Sequence, residues 1–136
     1  MEHFVGVEHI GAEPQEKDGK AGYKVIYDDG YERWSPKETF EKAYFAILNK
    51  DIVSDYEKEG MPDFIKRMLL EESELEYRIS KLAEFIVSKK FEELQAFQKQ
   101  FLIIQINAMK TYGETLCARI NNEKFFAGEK KDEKHN

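Results

Sequence analysis

The chain has 136 residues, enough for one compact domain or for a small module joined to a helical hairpin. It is 41% hydrophobic and 35% charged, and its net charge of -6 argues against gripping long nucleic acid through phosphate neutralisation, which needs a basic face. That charge still leaves room for a small anionic ligand held in one local pocket.

The single cysteine, Cys117, allows no disulfide framework within the chain and fits a reducing cytosol. Met1-Glu2-His3-Phe4-Val5 lacks a basic region and a long apolar run, so no signal peptide is expected. No run of about 18 apolar residues exists, so no membrane-spanning helix is expected. These features predict a soluble cytoplasmic protein.

Residues 4–34 read as strands. Phe4, Val5 and Val7 are β-formers, and Gly11 with Pro14 closes the first strand. Residues 15–22 form a polar, glycine-containing loop. Tyr23-Lys24-Val25-Ile26-Tyr27 then leads through Asp28-Asp29-Gly30 into Tyr31-Glu32-Arg33-Trp34, and Asp-Gly between such runs predicts a type I′ hairpin turn. Ser35-Pro36-Lys37-Glu38 predicts a capping box, with serine at N-cap, proline at N1 and glutamate at N3. Phe40, Ala43, Tyr44 and Ile47 then line one face of a helix that covers the sheet.

Residues 49–61 read as a linker containing one helical turn. Pro62-Asp63 opens a long helix whose Met68, Leu75, Ile79, Leu82 and Ile86 form a bundle seam. Ser88-Lys89-Lys90 is a short break, and a short break makes antiparallel neighbours. Glu92 and Glu93 are expected in the first turn of the returning helix, where the macrodipole favours negative charge. Leu94, Phe97, Phe101, Ile104, Ala108, Tyr112, Leu116 and Ile120 carry the seam onward. The predicted class is α+β: a small antiparallel sheet with a covering helix over 1–48, a linker over 49–61, a helical hairpin over 62–122 and a flexible tail over 123–136.

The returning helix is apolar on more than one stripe, which a lone two-helix hairpin cannot bury. An oligomer is therefore expected, with Gln105, Asn107 and Tyr112 near the surfaces it closes. Asn107 lies between Ile106 and Ala108; an asparagine buried without partners costs about 1–3 kcal/mol, so it needs a partner or a ligand. It could equally fix helix register. Tyr23, Tyr27, Tyr31 and Trp34 form an aromatic patch, at least half of it packing under the first helix and the rest left for base stacking or a subunit contact.

Enzyme chemistry finds little support. His3, His9 and His135 sit near the termini, and no phosphate-loop, zinc-peptidase or paired-cysteine spacing is present. Glu71, Glu72, Glu74 and Glu76 read as a solvated helix face, and Cys117 reads as packing. No catalytic residue, metal or cofactor is expected.

The break before Phe91-Glu92-Glu93-Leu94, the run Gln105-Ile106-Asn107-Ala108-Met109-Lys110-Thr111-Tyr112 and the ending Ala118-Arg119-Ile120 resemble a helical-hairpin domain of bacteriophage anti-defence proteins. That domain is shared by the Thoeris anti-defence and anti-CBASS proteins. Gly22 to Lys37, with Val7 to Pro14 before it and Phe40 to Tyr44 after it, resembles a small β module of phage proteins. The combination looks like the first Thoeris anti-defence family. The resemblance implies a sponge acting in the cytoplasm of an infected bacterium. Such a sponge sequesters a cyclic ADP-ribose isomer from a TIR-domain enzyme without cleaving it, and can hold cyclic oligonucleotides at separate sites. It implies a homo-oligomer, a dimer at least and a hexamer by analogy. By position, Phe97 corresponds to an aromatic that stacks on the ligand and Asn107 to a polar group that fixes it. Arg67, Lys110 and Arg119 are the nearest cations for phosphate. The alternative is a structural or protein-binding oligomeric phage protein with no nucleotide ligand.

Overall fold

The computed structural model describes the backbone over residues 1–135 and the side chains through Gly128. The chain divides into two compact units, residues 1–48 and 49–136.

The first unit is a three-stranded antiparallel sheet in the order β1-β2-β3, with β1 at Ile10–Pro14, β2 at Gly22–Tyr27 and β3 at Glu32–Pro36. Val25 sits at its centre, opposite Ala12 on one side and Arg33 on the other, and is fully buried. Helix α1, Lys37–Ala43, packs on β2 and β3. Side chains alternate along a strand, so Tyr23 meets α1, where its ring stacks 4.2 Å from Phe40, and Phe40 stacks 5.1 Å from Tyr44. Trp34 lies over Gly22, and its Nε1 donates to the Gln15 carbonyl at 2.8 Å. Tyr31 remains exposed.

The first strand, read at Phe4, Val5 and Val7 and closed by Gly11 and Pro14, forms instead over Ile10–Pro14, where pairing with β2 supplies its partners, and Phe4, Val5 and Val7 are exposed. The turn chemistry differs from the sequence reading at two places. The two-residue type I′ geometry belongs to Asp18-Gly19, with φ of 52° and 77°, inside the segment read as a polar loop. Lys17 and Lys20 flank it and exchange hydrogen bonds of 3.0 Å. In the loop Asp28-Asp29-Gly30 only Gly30 has positive φ, at 91°, and Tyr27 N–H donates to the Tyr31 carbonyl at 2.8 Å. That is a three-residue loop ending in a left-handed glycine rather than a two-residue turn. The predicted capping box also does not form. Ser35 pairs with Tyr23 inside the sheet, is buried, and leaves α1 without a side-chain cap.

The second unit contains α2 (Lys50–Glu57), α3 (Asp63–Ile86), α4 (Lys89–Glu92) and α5 (Ala96–His135). Residues read as a linker thus form an eight-residue helix, capped by the Asn49 side chain, which accepts from Asp51 N–H at 3.0 Å. Its buried Ile52 supplies the tertiary contact that a linker reading leaves out. The break between the long helices is wider than expected. Ser88 caps the one-turn α4, Glu92 lies in α4, and Glu93 ends it. The returning helix starts only at Ala96, where Gln95 N–H donates to Gln98 Oε1 at 2.9 Å, satisfying an otherwise orphaned amide.

Helix α3 buries Ile65, Met68, Leu69 and Leu75. The face of α5 that meets α3 runs through Leu102, Ile106, Met109, Gly113, Leu116 and Ile120 at alternating steps of four and three. Leu116 and Ile120 keep their predicted place; Phe97, Phe101, Ile104 and Tyr112 do not, and are exposed. Two apolar stripes compete for one partner helix, and the stripe with Gly113 allows the closer approach. Helix α5 continues through the segment read as a tail, and Lys124 pairs with Asp55. The side chains of residues 129–136 lie outside the described residues. Among the described residues, no helix is long and apolar enough to cross a membrane.

Candidate functional site

A second stripe on α5 faces away from α3. Phe97, Phe101, Ile104, Ala108 and Tyr112 follow one another at helical spacing. Phe97 is 60% exposed, Phe101 66%, Ile104 55% and Tyr112 45%. The Phe97 and Phe101 rings meet edge to face, 6.5 Å apart. Four large apolar side chains on one exposed line are more than a solitary helix surface usually carries. Gln105 flanks this line, Arg119 continues it toward the C-terminal end of α5, and both are exposed.

Asn107 is exposed, not buried, and stands on the flank of α5 with Ile103 and Lys110. Its carbonyl accepts the Thr111 hydroxyl at 3.1 Å. Ten residues separate it from Phe97, about 15 Å along a helix axis. Lys110 is about 20 Å from Phe97 on the same measure, and Arg119 about 33 Å. Arg67 is exposed in the second turn of α3. The contacts Gly113–Leu75 and Cys117–Glu72 show an antiparallel run, which sets Arg67 level with the Arg119 end of α5. One chain therefore gathers rings at one end of the hairpin and Arg67 with Arg119 toward the other.

A second feature escaped the sequence reading. A cleft of about 400 Å³ between α2, α3 and α5 is lined by residues including Ile52, Asp55, Leu69, Glu72, Cys117 and Lys124. Lys124 Nζ lies 2.5 Å from Asp55 Oδ2. Glu72, read as part of a solvated face, turns into this cleft; burial pushes its carboxyl up, Glu76 adds to that, and the Cys117 thiol bonded to it opposes. Cys117 is not packed in a core but exposed at the cleft edge. Its own thiol is pushed up by burial and by Glu72, the reverse of what a nucleophilic cysteine needs. No sequence signal marked this cleft, because half of its wall comes from the segment read as a linker. Among the described residues, no group of three or more His, Cys, Asp or Glu side chains is placed to hold a metal ion.

The model of one protein family, Sequestin, matches residues 62–122, which span α3, α4 and the part of α5 that carries the whole exposed stripe. The match is to this hairpin segment and covers somewhat under half of the chain. This agrees with the phage anti-defence sponge resemblance read from the hairpin, and the match leaves the N-terminal unit outside it. No curated protein and no solved structure matches the chain. The Sequestin family itself implies sequestration of a signal molecule.

Proposed function

We propose that this protein is a phage anti-defence sponge that binds a cyclic ADP-ribose isomer made by a TIR-domain enzyme and holds it without cleaving it. The observation that carries this reading is the exposed aromatic stripe of α5 lying within the Sequestin segment. An exposed ring offers a stacking face worth about 1–3 kcal/mol per base. Cations add charge-assisted hydrogen bonds to phosphate. Sequestering a scarce signal calls for affinity near nanomolar, about -12 kcal/mol, and a pocket that buries most of the ligand.

A single hairpin does not enclose such a pocket, so the reading includes a homo-oligomer in which two α5 stripes face each other. Phe97 and Arg119 each lie eleven residues from Ala108, on nearly the same helix face. Antiparallel packing of two copies about Ala108 sets Phe97 of one copy level with Arg119 of the partner subunit. The small Ala108 side chain permits close approach at the crossing. Each interface then carries two equivalent sites, each with a ring and a cation from different chains. A hexamer is three such pairs.

The test mixes the protein with the cyclic ADP-ribose isomer, removes protein-bound ligand by filtration, and heats the protein to release it. Depletion followed by recovery of intact ligand is the expected result. Altered ligand after heating identifies an enzyme. No depletion before heating overturns the sponge and leaves an oligomer whose apolar stripe serves assembly alone.

A further inference from the structure

We infer that α2 is a hinged strap on the hairpin, pinned by Lys124 and able to open while α3 and α5 stay packed. The α2 helix lies outside the Sequestin segment and, among the described residues, meets the hairpin at Ile52, Asp55 and Tyr56. Ile52 is 3% exposed and lines the cleft beside buried Leu69 and Ile120. Asp55 accepts from Lys124, and the Lys66 ammonium stands 5.2 Å from the centre of the Tyr56 ring. Leu48 is 88% exposed just before the capping Asn49, and Gly60, with φ of 79°, turns the chain between α2 and α3. A helix of eight residues opens locally at lower free energy than the long seam beside it.

Charge decides which contact is the pin. The strap brings Asp51 and Asp55, and α3 meets it with Glu72, backed by Glu76; α5 contributes Lys124, Cys117 and Asn121. Among the described residues in this cleft, Lys124 is the one cation among three carboxylates. Its ammonium turns a repulsive junction into a closed one. With Lys124 removed, Asp55 faces Glu72 without a counter-charge, and a half-buried junction of like charges is unfavourable. Opening lays bare the seat of Ile52 on Leu69 and Ile120, turning the cleft into an apolar groove. The strap is thus a gate over that groove, controlled by one ion pair and separate from the exposed stripe of α5.

Hydrogen exchange followed by mass spectrometry on the full chain tests this. In the wild type, amides of residues 50–57 exchange faster than those of residues 65–80 and 106–120. Lys124→Met speeds exchange in 50–57 about tenfold or more and leaves the α3 and α5 segments unchanged. Glu72→Gln slows exchange in 50–57, and Lys124→Met combined with Glu72→Gln recovers much of the wild-type protection. The double variant guards against a general loss of fold, because a merely damaged protein gains nothing from a second substitution. Exchange of α2 in step with α3 and α5 overturns the strap. A Lys124→Met variant that accelerates all three helices equally, or is not rescued by Glu72→Gln, overturns the pin.

Discussion

Leu75 Cδ2 lies 3.6 Å from where a Cβ on Gly113 would stand, and Ile79 Cδ1 lies 3.7 Å from it. These are ordinary contact distances, so the seam of α3 and α5 has room for one methyl group there. Glycine inside a helix costs about 0.5–1 kcal/mol relative to alanine. Gly113→Ala is therefore expected to stabilise the hairpin by about that amount, raising the denaturation midpoint in urea. Gly113→Leu overfills the same space and is expected to destabilise by about 1–3 kcal/mol. A Gly113→Ala variant less stable than wild type would contradict this packing.

Gly22 has no such room. A Cβ there collides with the Trp34 indole and the Ser35 carbonyl, and the backbone is part of the clash. Gly22→Ala should cost the N-terminal unit about 1–3 kcal/mol. Trp34 is the only tryptophan, so its fluorescence reports this unit directly. The expected result is a red-shifted emission and a lower midpoint by fluorescence, with the helical signal of the hairpin retained.

Phe97 is exposed, so Phe97→Ala should leave the melting temperature of a single chain's hairpin nearly unchanged. A core phenylalanine would cost about 3–5 kcal/mol instead. If Phe97 stacks on ligand, calorimetric titration with the cyclic ADP-ribose isomer should show a loss of about 1–3 kcal/mol, roughly five- to 150-fold. Asn107→Ala is expected to lose a similar amount by stranding a polar group of the ligand. Retained binding by both variants would remove them from the site.

The two-chain site makes a sharper forecast. Phe97→Ala and Arg119→Ala variants, each weak alone, should regain high-affinity sites when denatured together and refolded as mixed oligomers. Each mixed pair then has one site with both wild-type groups and one with neither. A site built within one chain gives no recovery on mixing.

Tyr44 donates to Glu8, and that hydrogen bond, then burial, pushes its phenol up to about 12 from 10.0. A raised folded pKa means the stabilisation is fully present below the unfolded value of 10.0 and is lost as pH rises through about 12. Ultraviolet titration of phenolate should find one tyrosine ionising last. Glu8→Gln should bring that step down toward the others. An unchanged late step in Glu8→Gln would sever the link between Glu8 and Tyr44.

Much of this architecture follows from local chemistry alone. Alternation around Val25, the turn glycines and the long apolar periodicity of residues 63–120 are local signals, so the α+β class and the hairpin were legible before any coordinates. The two stripes of α5 were legible as well. Which stripe faces α3 was not, because periodicity gives the angle between stripes but not the identity of the partner surface. Packing decided it: Gly113 against Leu75 brings Ile106 and Leu116 inward and turns Phe97 and Tyr112 outward. Ser35 and Asn107 show the same limit. A serine before proline spells a helix cap, yet pairing with Tyr23 keeps Ser35 in the sheet; an asparagine between apolar neighbours suggests burial, yet the helix rotation exposes Asn107. Helix α2 and its Asp55–Lys124 pair were illegible because their contacts span 69 positions of sequence, and a short polar segment becomes a helix only when tertiary burial of Ile52 supplies the missing free energy.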